Sequence, residues 1–202
     1  VAVLCLVLLP KTSRAQSCKT NNNEKKNSEK RKGKILIVFF SHTGENYAVG
    51  NIEVGNTKMV ADYIRDVTSG DEFEVVRETP YPKTYKEVVE VAKKERYGKE
   101  YPPFKGEVNN IDDYDIVFLG GPVWIHSYPQ VMFTFMKQYD LSNKTLIPFL
   151  THEGSGIGYA VRDIKEIYPN ANILSPEAFY GHEVRTDMSK VKAWLESLGY
   201  KK

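Results

Sequence analysis

Cysteine is scarce in this chain of 202 residues, which contains only Cys5 and Cys18. Both lie within the first 18 residues, so the rest of the sequence cannot form a disulfide and its fold must depend on its core. Long apolar runs are also lacking. The run at residues 1–9 is too short for a bilayer span, which needs about 20 such residues. These features are typical of a single domain that is stabilised by packing.

An excess of basic charge is also lacking beyond residue 33. The formal net charge of the whole chain is +2, but residues 1–33 hold eight of the 28 Lys and Arg and only two of the 26 Asp and Glu. The remaining 20 basic and 24 acidic residues give residues 34–202 a net charge of −4. Because nucleic-acid binding needs a basic face on the folded domain, this distribution argues against a nucleic-acid partner.

The first 17 residues resemble a secretory signal peptide. Pro10 ends the apolar run, and small residues at 13 and 15, or at 15 and 17, offer positions −3 and −1 of a cleavage site. We therefore predict an exported protein, either periplasmic or attached by lipid to the cell envelope. The alternatives are that residues 1–9 form a buried first strand and that the protein stays in the cytoplasm.

Cys18 follows Ala-Gln-Ser, a loose match to the lipobox at which bacterial lipoproteins are cleaved and lipidated. Lipidation would make Cys18 a membrane tether, whereas the plainer alternative is a lone exposed thiol. Residues 18–33 contain no apolar anchor, and their composition predicts a disordered polar linker. The folded domain is therefore expected to comprise residues 34–202.

Strand and helix patterns alternate through residues 34–202. Continuous apolar runs indicate strands covered on both faces, and apolar positions at helical spacing follow them. The predicted strands lie at residues 35–40, 73–76, 116–119, 145–150 and 173–178. Five such strand–helix units predict an α/β domain with a doubly wound, five-stranded parallel sheet.

Small residues follow three of these strands. The loops after Phe40, Leu119 and Leu150 are rich in glycine, and right-handed crossovers place them together at one edge of the sheet. Ligands of open α/β sheets bind at the carboxyl edge, where the strand order reverses. The sequence therefore predicts one binding site that is built from three loops.

The first loop suits a phosphate group. Residues 41–44 read Ser-His-Thr-Gly, and residues 55–57 read Gly-Asn-Thr at the start of a helical pattern, where free N–H groups favour an anion. Neither Gly-x-Gly-x-x-Gly nor the Lys of a triphosphatase loop is present, so hydroxyl and amide groups would hold the phosphate without neutralising it. This favours a permanently bound monophosphate such as that of FMN, with an ordinary strand–helix turn as the alternative. The insertion at 45–54 is either a flap over the site or a surface excursion.

The second and third loops offer an aromatic face and close backbone approach. Trp124 lies between Pro122 and Pro129, an awkward place for a core residue but a suitable one for stacking on a flavin ring. Residues 151–156 read Thr-His-Glu-Gly-Ser-Gly, and the glycines let backbone N–H groups reach a ligand edge. The structural alternatives are a Trp packed on its own loop and a flexible turn.

Other kinds of chemistry have less support in the sequence. Four histidines (His42, His126, His152 and His182) lie in or beside the strand-end loops, but no H-x-x-x-H spacing or cysteine partner indicates a metal. His126 or His152 could donate a proton to a reduced cofactor. No Gly-x-Ser-x-Gly motif precedes a helix, so a serine hydrolase is not supported.

Three stretches together resemble the flavodoxin-like flavoprotein family, in particular a bacterial subgroup with an insertion in the phosphate loop. They are the two halves of that loop, residues 114–124 (Tyr-Asp-Ile-Val-Phe-Leu-Gly-Gly-Pro-Val-Trp) and residues 149–158 (Phe-Leu-Thr-His-Glu-Gly-Ser-Gly-Ile-Gly). The resemblance covers residues 34–200. It implies the strand order 2-1-3-4-5 and non-covalently bound FMN.

The resemblance also implies roles for individual residues. Carried over by position, the first loop holds the phosphate, the second packs on the flavin ring, and the third lies along its pyrimidine end. The implied cofactor-binding set is Ser41, His42, Thr43, Gly44, Asn56, Thr57, Pro122, Val123, Trp124, Ile125, Thr151, His152, Gly154, Ser155 and Gly156.

Two departures from the family pattern affect the expected chemistry. Many flavodoxins have a Gly after the aromatic segment of the second loop, where a peptide flip stabilises the one-electron reduced flavin. Here Ile125 follows Trp124, and a β-branched residue resists positive φ. The third loop also lacks a second stacking Tyr.

We therefore predict an FMN-binding electron-transfer protein of the flavodoxin type, with redox proteins as partners. The alternative is an FMN-dependent NAD(P)H or quinone oxidoreductase, which would transfer hydride to a small-molecule acceptor. The two departures favour this two-electron chemistry. A module that binds a phosphate ligand without redox chemistry is a third reading.

Overall fold

The computed structural model describes residues 33–201 of the chain. The predicted signal-peptide-like segment at 1–17 lies outside the described residues, as does the linker at 18–33 apart from Gly33. No helix in the described part of the chain is long and apolar enough to cross a membrane.

Residues 33–201 form ten strands and six α-helices. The strands are β1 (Ile35–Phe39), β2 (Gly44–Asn46), β3 (Gly50–Ile52), β4 (Asp71–Glu74), β5 (Val76–Arg77), β6 (Phe104–Lys105), β7 (Ile116–Pro122), β8 (Thr145–His152), β9 (Asn172–Ile173) and β10 (Glu177–Tyr180). The helices are α1 (Asn56–Thr68), α2 (Tyr85–Gly98), α3 (Gln130–Gln138), α4 (Ala160–Ile167), α5 (Gly181–Val184) and α6 (Ser189–Ser197), and a 3₁₀ turn spans Ile111–Asp113.

The central sheet is parallel and has the order β4–β1–β7–β8–β10, with β9 also paired to β8. With β9 and β10 counted together as the fifth strand, the predicted order 2-1-3-4-5 is confirmed. The fifth strand is divided because Ser175 has a left-handed backbone and Pro176 has no N–H to donate to the ladder. The second strand, β4, begins at Asp71, two residues before the predicted start.

The position of β1 in the sheet explains its apolar sequence. β4 flanks it on one side and β7 on the other, and Val38 is paired with both Phe73 and Leu119. All five residues of β1 are buried. A strand in the middle of a sheet with helices on both faces has no side that can be polar.

The core consists of two layers, one on each face of the sheet. One layer contains Phe135 of α3 and Ile164 of α4, and the other contains Ile64 of α1 and Leu195 of α6. The neighbouring residues Phe118 and Leu119 of β7 belong to opposite layers, because side chains alternate along a strand. The helices on both faces thus hold the carboxyl ends of β1, β7 and β8 in fixed positions.

Two antiparallel strand pairs and one short helix were not predicted. β2 and β3 form an antiparallel hairpin from the insertion at 45–54. β5 and β6 form a second antiparallel pair. α5 is a short helix that begins directly after β10 and contacts α1. The β2–β3 hairpin and α5 border the site described next.

Candidate functional site

A cavity of about 270 Å³ opens at the carboxyl edge of the sheet. Its walls come from the loops after β1, β7 and β8, together with the β2–β3 hairpin and α2. The three glycine-rich loops therefore meet, as the alternation of strands and helices requires. The cavity is close to the lower end of the range for small-molecule sites, which starts at about 300 Å³.

Most residues of the implied cofactor-binding set line this cavity. Those that do are His42, Asn56, Thr57, Pro122, Val123, Trp124, Ile125, Thr151, His152 and Ser155. Ser41 and Thr43 instead line a neighbouring cavity of about 200 Å³, which shares His42 with the first. Gly44, Gly154 and Gly156 line neither cavity.

The two halves of the first loop meet at Gly55. A β-carbon on Gly55 would lie 2.2 Å from Ser41 Oγ, so a larger residue does not fit without a shift. Ser41 Oγ in turn accepts a hydrogen bond of 3.0 Å from the backbone N–H of Lys58, in the first turn of α1. The N–H groups of Asn56 and Thr57 have no acceptor within residues 33–201. These two groups are the helix N-terminal donors to which an anion can bind.

Two cationic side chains flank this loop. Lys83 Nζ donates to Thr43 Oγ1 at 2.6 Å, and Arg185 Nη1 donates to Asn56 Oδ1 at 3.0 Å and to the Val54 carbonyl at 2.9 Å. Among the described residues, neither cation has a carboxylate partner. The first loop therefore has two cations bonded to it, which its own sequence did not indicate. Because the cations are 40 and 129 residues from their loop partners, no local pattern indicated them.

Arg185 reaches the first loop because α5 packs against it. A β-carbon on Gly181, the first residue of α5, would lie 2.2 Å from the side-chain nitrogen of Asn56. The third loop is joined to the same helix, since Glu153 accepts a hydrogen bond of 2.8 Å from the backbone N–H of His182. Its other carboxylate oxygen lies 2.5 Å from His182 Nδ1. α5 thus connects the first and third loops.

Trp124 is partly buried in the second loop, beside three other rings. Its ring makes edge contacts with Phe40 and His42, each at a centroid distance of 5.4 Å, and with Tyr81 at 4.9 Å. Tyr81 is held in turn by a hydrogen bond of 2.7 Å from its hydroxyl to Glu95. These contacts fix the indole while it still lines the cavity.

The turn that follows Trp124 has an unusual backbone. Ile125 and His126 have φ values of 45° and 68°, and hydrogen bonds of 2.8 and 3.1 Å between Trp124 and Ser127 close the turn. The expectation that Ile125 avoids positive φ is therefore wrong. A closed two-residue turn imposes the left-handed conformation on both central residues, at a cost of order 1–3 kcal/mol for each one that is not glycine.

His42 is buried and neutral at neutral pH. Burial, together with the nearby charge of Lys83, lowers the pKa of His42 to about 4. Within the described part of the chain, its buried Nε2 has no hydrogen-bond partner. His42 thus adds an uncharged ring, packed on Trp124, to the wall between the two cavities.

The third loop folds around His152. Its Nδ1 accepts hydrogen bonds from the backbone N–H groups of Gly154 at 2.8 Å and Gly156 at 3.2 Å. Burial lowers the pKa of His152, which favours the neutral ring that can accept both bonds. Both glycines have positive φ, 117° and 61°. Their N–H groups are therefore used inside the loop, whereas the sequence suggested that they face a ligand.

The site has two chemically different ends. One end has the free N–H groups of Asn56 and Thr57, which suits a phosphate, and the two cations bond to the same loop without lining this cavity. The other end is formed by Trp124 and by Val88, Val89 and Ala92 of α2, which suits a planar apolar ring. Within residues 33–201, no group of three or more His, Cys, Asp or Glu side chains is placed to hold a metal ion. A ring system with a phosphorylated side chain matches both ends.

Comparison with known proteins agrees with this geometry. A family model described as Flavodoxin matches residues 34–198, which confirms the predicted family. A flavoprotein crystal structure from Bacteroides eggerthii DSM 20697 is 29% identical, with a TM-score of 0.66 over 83% of this chain and 99% of that one. One from Bacteroides uniformis ATCC 8492 is 24% identical, with a TM-score of 0.67 over 81% and 98%.

A third structure, of a flavoprotein from Lactobacillus acidophilus NCFM, was determined in complex with FMN. It is 22% identical to this chain and has a TM-score of 0.58, covering 80% of this chain and 98% of that one. At this identity the likeness concerns the fold. A search of curated proteins finds no match.

Proposed function

This chain belongs to the flavodoxin family, and we propose that it is a redox protein that binds FMN non-covalently and exchanges electrons with protein partners. The observation that carries the proposal is the cavity, in which a phosphate-binding end and a wall containing Trp124 meet at the carboxyl edge of the sheet. FMN fits both ends, because it joins a phosphate to a flat aromatic ring system.

One end of the site binds the phosphate of FMN and the other binds its ring. The N–H groups of Asn56 and Thr57 hold the phosphate, while Lys83 and Arg185 balance its charge. Trp124 and the apolar residues of α2 exclude water from the ring. When bound, FMN supplies reversible one-electron or two-electron transfer.

The proposal is tested by mixing the purified chain with FMN and recording absorbance during photoreduction. Flavin bands that stay with the protein through gel filtration are the expected result. Passage through a one-electron reduced form supports an electron carrier, whereas direct two-electron reduction favours an FMN-dependent NAD(P)H or quinone oxidoreductase. A folded chain that takes up no FMN contradicts both.

The second candidate is an FMN-dependent NAD(P)H or quinone oxidoreductase. The β2–β3 hairpin favours it, because Glu45, Asn46 and Tyr47 line the cavity beside the predicted ring site. A small acceptor enters a partly covered cavity more readily than a protein partner does. The test is oxidation of NADH or NADPH by the FMN-loaded chain with a quinone as acceptor, and no turnover would leave the electron carrier as the better reading.

We also propose that the protein is exported and that its mildly acidic domain meets basic redox partners. The apolar run at 1–9 and the small residues before Cys18 support export, with lipid on Cys18 as a membrane tether. Fractionation of cells that express the natural protein tests its location, and mass spectrometry of the peptide containing Cys18 tests the lipid. A cytoplasmic protein with an unmodified Cys18 would contradict both proposals.

A further inference from the structure

We infer that the β2–β3 hairpin and the start of α2 supply a second aromatic wall for the flavin ring. The wall is made by Tyr47, at the turn of the hairpin, and Tyr85, the first residue of α2. The inference rests on the proposed function, since it concerns how this chain holds FMN. It gives the insertion in the phosphate loop a specific role. The third loop contributes Thr151, His152, Glu153 and Ser155 to the cavity, and none of these is a tyrosine.

Both tyrosines are exposed at the cavity. Tyr47 is 61% exposed and Tyr85 is 41% exposed, yet both line the cavity. Their ring centroids are 5.8 Å apart and their planes are tilted by 35°, so the two rings are neighbours at the cavity. Exposed aromatic groups at the edge of a cavity are typical of ligand contacts. By contrast, Tyr97 of α2 is 73% exposed and lines neither cavity.

The β2–β3 hairpin is attached to the start of α2 by hydrogen bonds. The backbone N–H of Glu45 donates to the Lys83 carbonyl at 2.8 Å, and a carboxylate oxygen of Glu45 accepts a bond of 2.8 Å from the backbone N–H of Tyr85. At Gly44, an added β-carbon would lie 2.8 Å from the Lys83 carbonyl oxygen. The hairpin is thus held against the start of α2, and Tyr47 is kept beside Tyr85.

The surroundings of the pair complete the wall. Val88, Val89 and Ala92 follow Tyr85 along α2 and line the same cavity at helical spacing. Trp124 lines the cavity from the second loop. A planar ring in this cavity therefore meets aromatic side chains from two separate parts of the chain, the hairpin with α2 and the second loop.

The test compares FMN with riboflavin, which has the same ring but no phosphate. Flavin fluorescence titrations of the full chain give the dissociation constants for the wild type, Tyr47→Ala and Tyr85→Ala. Each variant should weaken the binding of both ligands by about tenfold, because the lost contact is with the shared ring. Tyr47→Phe and Tyr85→Phe keep the ring and should bind like the wild type.

Two further variants make the test specific. Tyr97→Ala removes an exposed tyrosine from the same helix outside the cavity, and its affinities should not change. Glu45→Gln keeps both rings but weakens the attachment of the hairpin to Tyr85. It should therefore lower the affinity for FMN and riboflavin by a smaller factor than Tyr47→Ala does. Far-UV circular dichroism confirms that each variant is folded.

The outcomes separate the inference from the proposed function. If the wild type binds FMN and the two alanine variants bind both flavins equally well, the inference is overturned while the proposed function stands. If the variants lose affinity for FMN alone, the tyrosines act through the phosphate end and the inference is also overturned. If the folded wild type binds no FMN, both fail.

Discussion

Thr57 and Thr151 are joined by a buried hydrogen bond of 2.8 Å between their Oγ1 atoms. Thr57 lies in the first turn of α1 and Thr151 near the end of β8, 94 residues away in the chain. Both line the cavity. This bond therefore holds the phosphate-binding loop and the third loop at a fixed spacing, independently of any ligand.

Replacing Thr151 with valine should lower the free energy of unfolding by about 1–3 kcal/mol, because the Thr57 hydroxyl would stay buried without its partner. The double variant Thr57→Val/Thr151→Val should lose less than the sum of the two single losses, since neither hydroxyl is then left unpaired. Urea unfolding of all four proteins measures this coupling. Strictly additive losses would contradict it.

Replacing Arg185 with glutamine should weaken FMN binding about tenfold and leave riboflavin binding unchanged, because only FMN carries the phosphate. Lys83→Gln should act in the same direction, and both effects should shrink as the salt concentration rises. Isothermal titration calorimetry at two salt concentrations measures them.

The matched control for these cations is Lys192→Gln. Lys192 is exposed on α6 and pairs with Glu196 at 4.0 Å. Its replacement should leave the affinity for both flavins unchanged. An equal loss of FMN and riboflavin binding in Arg185→Gln would mean that Arg185 acts by holding Asn56 in place rather than by its charge.

Replacing Gly55 with alanine should reduce FMN affinity by at least tenfold, because the new methyl group would lie 2.2 Å from Ser41 Oγ and force the two halves of the first loop apart. Gly98→Ala is the control, since its β-carbon would come no closer than 3.3 Å to the flexible carboxylate of Glu100. Fluorescence titration with FMN compares the two. Unchanged affinity in Gly55→Ala would show that the close approach is not needed for binding.

Because of His42, the free energy of unfolding should decrease as the pH is lowered from about 6.5 to about 4. Its pKa is about 4 in the folded chain against an ordinary value of 6.5, so in this window the unfolded chain binds a proton that the folded chain does not. The full effect corresponds to roughly 3 kcal/mol, lost as the pH falls. His152, whose pKa is also lowered by burial, adds in the same direction.

Urea unfolding at pH 7 and pH 5 measures this effect. The wild type should be clearly less stable at pH 5, and His42→Gln should show a smaller difference between the two pH values. A His42→Gln variant with the same pH dependence as the wild type would show that His42 does not cause the loss of stability at low pH.

The strands of the central sheet were largely predictable, and the exceptions have local causes. The run at 35–40 could be recognised because a strand buried on both faces is apolar throughout. β4 was misplaced by two residues because an edge strand such as Asp71–Glu74 carries polar residues. The break between β9 and β10 follows from Ser175 and Pro176, whose effect depends on the backbone conformation around them.

The three loops that form the site could be identified from local sequence patterns. Hydrophobic periodicity is a local property, and the handedness of crossovers then brings the ends of β1, β7 and β8 together. The cations and the hydrogen-bond donors of the site, in contrast, depend on contacts between distant parts of the chain. Lys83 and Arg185 reach the first loop, and His152 takes up the N–H groups of Gly154 and Gly156, through contacts set by packing. Such contacts depend on distances between whole elements, which no local pattern encodes.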